Sequence, residues 1–98
     1  MLFALICTDK PNALDLRRST RNVHVDYLKS LGTGLKAAGP FAGADGNQNG
    51  SLVIIEAADL AGAKAISAAD PYAKAGLFQS VDIRPWTWSL NNPEPAKV

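Results

Sequence analysis

His24 is the only histidine in the sequence, and helical spacing places Tyr27 and Leu28 on the same side of its helix. Imidazole has an ordinary pKa of about 6.5, near neutral pH, which makes His24 a candidate general acid or base. The same spacing fits a histidine packed between helix and sheet, with one ring nitrogen bonded to the backbone. From spacing alone both interpretations stay open.

Asp70 is the second candidate, because it begins the rigid segment Asp70-Pro71-Tyr72. An aspartate before proline at a helix end is frequently only a turn residue. A carboxylate bonded to an imidazole, however, fixes the tautomer of the ring and raises its basicity, as in a catalytic triad without its nucleophile. Three further residues are candidates for shaping a substrate pocket: Ser51, Tyr72 and Trp86.

Other kinds of site find little support. Cys7 is the only cysteine, which excludes an intrachain disulfide and a cysteine-rich metal site. In a strand interior its thiol is expected to act as a small hydrophobe that titrates above neutral pH. The glycine-rich segment 43–50 has no Walker lysine and is better interpreted as a turn. We therefore predict neither a metal nor a cofactor.

The charge of the chain is nearly balanced, with a formal net charge of +1. No strong field attracts nucleic acid. Arg17, Arg18 and Arg21 form the only basic cluster. These arginines could contact an anionic ligand, but a solvated helix face is the favoured interpretation.

The length of 98 residues allows one globular domain, which we assign to residues 1–90, followed by a polar tail at 91–98. The apolar start lacks a basic leader and is much shorter than the roughly 20 residues that span a bilayer. We therefore expect a soluble, cytoplasmic protein that does not bind membranes. Such short domains often gain stability by forming oligomers.

Hydrophobic periodicity and turn residues predict four strands and two helices. Gly39-Pro40 is expected to place a bend or bulge in the second strand. Asp59 is expected to cap the second helix, and Asp70-Pro71 to stop it. In chain order the elements are a strand at Leu2–Thr8, a helix at Ala13–Leu31, a short strand at Leu35–Phe41, a strand at Ser51–Glu56, a helix at Leu60–Ala69 and a strand at Val81–Leu90.

This order is typical of an α+β fold of the ferredoxin-like, split β-α-β type, with a four-stranded antiparallel sheet. Two helices can cover only one face of such a sheet. The other face carries apolar residues and needs a partner, for which a second copy of the chain is the simplest choice. We therefore predict a homodimer or a higher homo-oligomer.

An ordered set of landmarks resembles the YciI-like, or YCII-related, family. The set extends from Leu2 to Trp88 and is much more specific than any one of its motifs. In order, the landmarks are Arg21-x-x-His24-x-x-Tyr27-Leu28, Gly39-Pro40, Gly50-Ser51-Leu52, Asp70-Pro71-Tyr72 and Pro85-Trp86.

The resemblance implies a dimeric α+β barrel, in which two four-stranded sheets pack face to face. It also implies a paired acid–base site at the matching positions, His24 and Asp70. Members with an assigned activity act on small ring compounds: one relative resembles a dehydrochlorinase of chlorinated hydroxyquinols, and the architecture resembles muconolactone isomerase. The landmark residues Gly39 and Pro40 join the substrate-binding candidates.

Three hypotheses follow for the function. The leading one is a cofactor-free enzyme of lyase or isomerase type, with His24 moving a proton on a small molecule, cyclic and aromatic compounds included, and Asp70 assisting. The rival is a non-catalytic dimer that binds a small molecule or serves as an accessory to another enzyme. The third is a purely structural dimer without a pocket. The sequence alone does not decide between an enzyme and a binding module.

Overall fold

The computed structural model describes residues 1–93 of the chain, so residues 94–98 of the predicted tail lie outside the described part. A short 3₁₀ turn at Gly32–Gly34 follows the first helix. In chain order the strands and helices are β1 (Leu2–Asp9), α1 (Leu14–Ser30), β2 (Leu35–Ala42), β3 (Gln48–Glu56), α2 (Leu60–Ala69), α3 (Pro71–Lys74) and β4 (Phe78–Trp86).

The four strands form one antiparallel sheet in the order β2-β3-β1-β4. The first strand is central: Leu5 pairs with Val53 of β3 on one side and with Ile83 of β4 on the other. The predicted α+β fold, ferredoxin-like with a split β-α-β order, is confirmed.

Alternate residues of the central strands form the helix-covered face of the sheet, because successive side chains of a strand point to opposite sides. On this face Phe3, Leu5 and Cys7 of β1 pack in one core with Leu28 of α1 and Ala63 of α2. The odd-numbered residues of β1 therefore lie on the sheet face that α1 covers.

The predicted end of the last strand is wrong. The sequence pattern predicts Val81–Leu90, whereas β4 spans Phe78–Trp86, so both its beginning and its end lie earlier in the chain. The reason is the length of its partner strand. Trp86 pairs with Leu2, the first residue of β1, and beyond Trp86 no strand within residues 1–93 pairs with β4. Aromatic and β-branched residues after Trp86 continue the strand-like sequence pattern, but they are not part of β4.

The two strands of the β2–β3 hairpin are longer than predicted. The turn closes when the N–H of Gly43 donates to the carbonyl of Asn47, and β3 begins directly after it. The predicted interruption at Gly39-Pro40 is absent, because β2 is an edge strand and the missing N–H of proline costs it no ladder bond.

A third, unpredicted helix follows α2. Asp70 ends α2 as expected, but its carboxylate also caps α3 by accepting the N–H of Tyr72 at 2.9 Å. Pro71 occupies the first turn of α3, where a missing N–H breaks no helical hydrogen bond. The predicted cap of α2 is confirmed, since Asp59 accepts the N–H of Gly62. Within residues 1–93 no helix has the length and apolar character needed to cross a bilayer.

Candidate active site

His24 and Asp70 lie side by side at the junction of α1 with α3. Nδ1 of His24 lies 2.8 Å from Oδ1 and 3.0 Å from Oδ2 of Asp70, and both residues are buried. An ionised carboxylate can only accept hydrogen bonds, so Nδ1 must be the donor. The two residues are therefore placed as an oriented imidazole–carboxylate pair.

The backbone fixes the carboxylate of this pair. Oδ1 of Asp70 accepts the N–H of Tyr72 while it faces His24, because Asp70 is the N-cap of α3. The turn role and the site role of Asp70, alternatives from sequence, are thus filled by the same carboxylate. The cap leaves it little freedom to turn away from the imidazole.

Nε2, the second ring nitrogen of His24, is not bonded to Asp70. It has no hydrogen-bond partner among residues 1–93, and no buried side-chain nitrogen or oxygen there lacks a partner. Nε2 is therefore accessible rather than enclosed, and His24 lines a cavity of about 160 Å³. This nitrogen can accept a proton from a molecule in that cavity or return one to it.

The interpretation of the basic cluster as a solvated face is wrong for Arg17, whereas Arg18 and Arg21 are exposed. Arg17 is 3 % exposed, and its Nε and Nη2 donate to the two carboxylate oxygens of Asp9 at 2.6 and 2.9 Å. Nη2 also donates to the hydroxyl of Ser51 at 2.9 Å. Burial acts to lower the pKa of Arg17, but the hydrogen bonds and charge of Asp9 outweigh it and raise the pKa above its ordinary value.

Helical spacing contains a signal for the position of Arg17. Counting back from the packed Leu28 and His24 in steps of four and three residues leads to Arg21 and then Arg17. The stripe that α1 presents to the sheet therefore continues through charged residues. Hydrophobic periodicity alone does not reveal it, because its first half is not apolar.

The cavity lies between α1 and the edge of the sheet formed by β2 and β3. The strand residues that line it include Ala38, Pro40 and Ser51, which share the helix-covered face. From the helices, the lining includes Arg17, Arg21, His24 and Tyr72. The predicted site residues Gly39, Pro40, Ser51 and Tyr72 thus lie together with His24, and Asp70 lies behind the imidazole.

Trp86 is the predicted site residue that one chain does not bring to this cavity. It pairs with Leu2 at the far end of β1, whereas Ser51 pairs with Cys7 near the other end. The alternation of the strands also places Trp86 on the sheet face away from the helices. Within one chain Trp86 therefore does not line the His24 cavity. Its ring contacts Trp88 instead, with 5.5 Å between centroids.

Tyr72 and Cys7 also have shifted pKa values. Burial raises the pKa of Tyr72, and the charges of Asp70 and Asp9 add to the rise, while Arg17 and Arg21 oppose it. The Tyr72 hydroxyl therefore stays protonated and is a hydrogen-bond donor at neutral pH. Burial raises the pKa of Cys7 to about 12, which agrees with the expected small hydrophobe that titrates above neutral pH.

Residues that could hold a metal do not gather in the described chain: residues 1–93 contain no group of three or more histidine, cysteine, aspartate or glutamate side chains placed to bind an ion. His24 and Asp70 are bonded to each other.

Comparison with known proteins extends these observations. A model of the YCII-related domain matches residues 1–87. The protein YciI of Escherichia coli O6:H1 is 35% identical over 94 residues, which cover 88% of this chain and 96% of that protein. An uncharacterized protein of Haemophilus influenzae is 33% identical with the same coverage.

Two solved structures share the fold. The 5-chloro-2-hydroxyhydroquinone dehydrochlorinase TftG from Burkholderia phenoliruptrix AC1100, in complex with 2,5-dihydroxybenzoquinone, superposes with a TM-score of 0.85 and 31% identity, covering 94% of this chain and 99% of TftG. A putative antibiotic biosynthesis monooxygenase from Bacteriodes thetaiotaomicron superposes with a TM-score of 0.58 and 18% identity, covering 99% and 95%. The second likeness concerns the fold alone.

Proposed function

The chain belongs to the YCII-related family, and from the geometry of its site we propose that it is a cofactor-free enzyme that moves a proton on a small ring molecule, of lyase or isomerase type. The observation that carries this proposal is the pair of contacts of 2.8 and 3.0 Å from Nδ1 of His24 to Asp70, with Nε2 left accessible at a cavity.

In the proposed reaction, Nε2 of His24 takes a proton from the substrate. The electron pair left behind then expels a leaving group, as in a lyase, or is reprotonated at another atom, as in an isomerase. Asp70 stabilises the imidazolium that forms, because its carboxylate already accepts from Nδ1. General acid–base help of this kind is worth about 10² to 10⁴ in rate.

The size of the cavity supports a single-ring substrate. At about 160 Å³ it is smaller than the pockets of about 300 to 1,000 Å³ that hold drug-sized ligands. TftG, which shares the fold and 31% of its residues with this chain, is a dehydrochlorinase of a chlorinated aromatic compound and was solved with a dihydroxybenzoquinone. A substrate of similar size and ring character fits this site.

The test uses two probes. Chloride release from 5-chloro-2-hydroxyhydroquinone reports elimination, and deuterium uptake from D₂O into the ring of 2,5-dihydroxybenzoquinone reports proton transfer without a leaving group. We expect the protein to accelerate at least one of them, and His24→Gln to lose about 10²-fold or more of that rate while still folded. A His24→Gln variant that works at the unmodified rate would rule the proposal out.

The non-catalytic alternative has a distinct result in the same experiment. A binding module would take up 2,5-dihydroxybenzoquinone but accelerate neither reaction. His24 would then be a ligand contact, and its replacement would change affinity alone.

We also propose that two copies of the chain pair through the sheet face that lacks helices. On that face Ile6 and Leu52 are opposed across β1 and β3 and only partly buried, so a second sheet would cover apolar surface there. Ile6→Asp should give a monomer in light scattering, whereas Arg18→Asp, on the exposed side of α1, should leave a dimer. A monomeric unmodified protein at micromolar concentration contradicts the pairing.

A further inference from the structure

Arg21 is a cation of the cavity wall that the proposed proton transfer does not use. It precedes His24 by three residues on α1, so both lie on one face of the helix, and both line the cavity. Within residues 1–93 no carboxylate lies within 4 Å of its guanidinium. Arg17, on the same stripe, has its charge neutralised by the two-point contact with Asp9.

The charged side chains that line the cavity are Arg17 and Arg21, and no acidic residue of positions 1–93 lines it with them. Arg17 is paired with Asp9, and the carboxylate of Asp70 is paired with Nδ1 of His24. Among residues 1–93 the charge of Arg21 has no acidic partner, and it opposes the rise in the pKa of the Tyr72 hydroxyl. Arg21 is exposed, but its charge borders a concave cavity, and a cleft lined by charge of one sign attracts an anion more strongly than the same charge on a flat surface.

The arrangement selects among ring compounds. With His24 neutral, the charges of Arg21 and Asp70 are of opposite sign, but Asp70 lies behind the imidazole and is already bonded twice. Arg17 and Ser51 line the cavity but are already hydrogen-bonded. The other polar side chains that line it are Arg21, Gln48, Tyr72 and His24, of which Arg21, Gln48 and Tyr72 offer donors. A ligand that offers ionised oxygen satisfies them, whereas a neutral hydrocarbon ring leaves them unpaired.

We propose that Arg21 binds an ionised oxygen of the substrate, so that the site takes planar ring acids in their anionic form. Both an acidic enol conjugated with a carbonyl and a ring carboxylate carry such an oxygen. This inference rests on the proposed function, because it places the substrate in the His24 cavity. It assigns Arg21 a role in affinity and specificity, separate from the proton transfer assigned to His24.

Binding of three probes tests the role of Arg21. 2,5-Dihydroxybenzoquinone is a conjugated enol acid, benzoate is a carboxylate, and 2,5-dimethoxybenzoquinone is the neutral ether of the first. The variants are Arg21→Gln and the matched control Arg18→Gln. Both arginines are exposed on the same helix, but only Arg21 lines the cavity. Calorimetric Kd values and thermal midpoints would be measured for each protein.

We expect Arg21→Gln to weaken binding of at least one acid about 10- to 100-fold, the usual range for a lost hydrogen bond to a charged group. Arg18→Gln should stay within about twofold of the unmodified protein. The neutral ether should bind more weakly than the acid and be insensitive to Arg21. Added salt should weaken binding of the acid less in Arg21→Gln than in the unmodified protein.

Equal Kd values for Arg21→Gln and Arg18→Gln, equal binding of the acid and its ether, or no binding of either acid at millimolar concentration would each overturn the inference. Dependence on Arg21 for benzoate alone would identify the ionised oxygen as that of a carboxylate. Failure of the proposed function looks different, since Arg21-dependent binding would then be seen without chloride release or deuterium uptake.

Discussion

The rings of His24 and Tyr72 are stacked, with 3.8 Å between their centroids and 13° between their planes. The guanidinium of Arg17 also lies over the Tyr72 ring, 4.8 Å from its centroid. The imidazole is thus held along its edge by Asp70 and across its face by Tyr72. Such double restraint keeps a catalytic group in its reactive geometry without cost at the moment of reaction.

Replacing Tyr72 should separate the role of its ring from that of its hydroxyl. Tyr72→Phe keeps the stack and should retain kcat within about fivefold, whereas Tyr72→Leu frees the imidazole and should lower kcat about 10-fold or more. Both would be assayed by deuterium uptake, at a temperature where circular dichroism shows them folded. If the two variants lose the same activity, the stack does not position His24.

The buried pair of Arg17 and Asp9 should be costly to break from one side. Arg17→Met leaves the Asp9 carboxylate buried without its partner and should lower the free energy of unfolding by about 3 to 5 kcal/mol. The double variant Arg17→Met with Asp9→Leu removes both charges and should be more stable than Arg17→Met alone. Urea denaturation of the single and double variants measures this. Strictly additive losses would show that the two side chains do not stabilise each other.

Cys7 should make the protein sensitive to alkaline pH. Burial raises the pKa of its thiol in the folded state from 9.0 to about 12, so the folded state binds the proton more tightly than the unfolded chain. The stability it contributes is therefore complete below about pH 9 and is lost as pH rises toward 12, at up to about 1.4 kcal/mol per pH unit.

The free energies of unfolding of the protein and of Cys7→Ala would be measured by denaturation between pH 8 and pH 10.5. This range spans the pKa of roughly 9 that is expected of the thiol in the unfolded chain. The unmodified protein should lose stability more steeply. Some slope should persist in Cys7→Ala, because burial also raises the pKa values of Tyr27 and Tyr72. Parallel profiles would mean that the thiol does not titrate with unfolding.

How far the sequence predicts this molecule depends on whether a feature is local. The element order and the cap at Asp59 follow from periodicity and turn chemistry within short windows, and the structure agrees. The end of β4 does not, because it is decided by where β1 begins. The position of Trp86 away from the His24 cavity has the same cause, since the register between two distant strands sets which end of the sheet it occupies.

The site shows the same division. His24 and Asp70 were selected by residue type, and the structure shows their contact across 46 positions of sequence. The burial of Arg17 was missed because it depends on Asp9, at the end of a strand. A charged residue is predicted as exposed unless its partner is known, and the partner is a fact of tertiary structure.

In the proposed reaction, Asp70 holds Nδ1 of His24 protonated so that Nε2 is free to act as a base. Because His24 is the only histidine, a long-range ¹H–¹⁵N spectrum of the imidazole needs no assignment. In the neutral state we predict the proton on Nδ1, and a shift of population toward the Nε2–H tautomer in Asp70→Asn. A proton found on Nε2 in the unmodified protein, and unaffected by Asp70→Asn, would show that Asp70 does not fix the tautomer of His24.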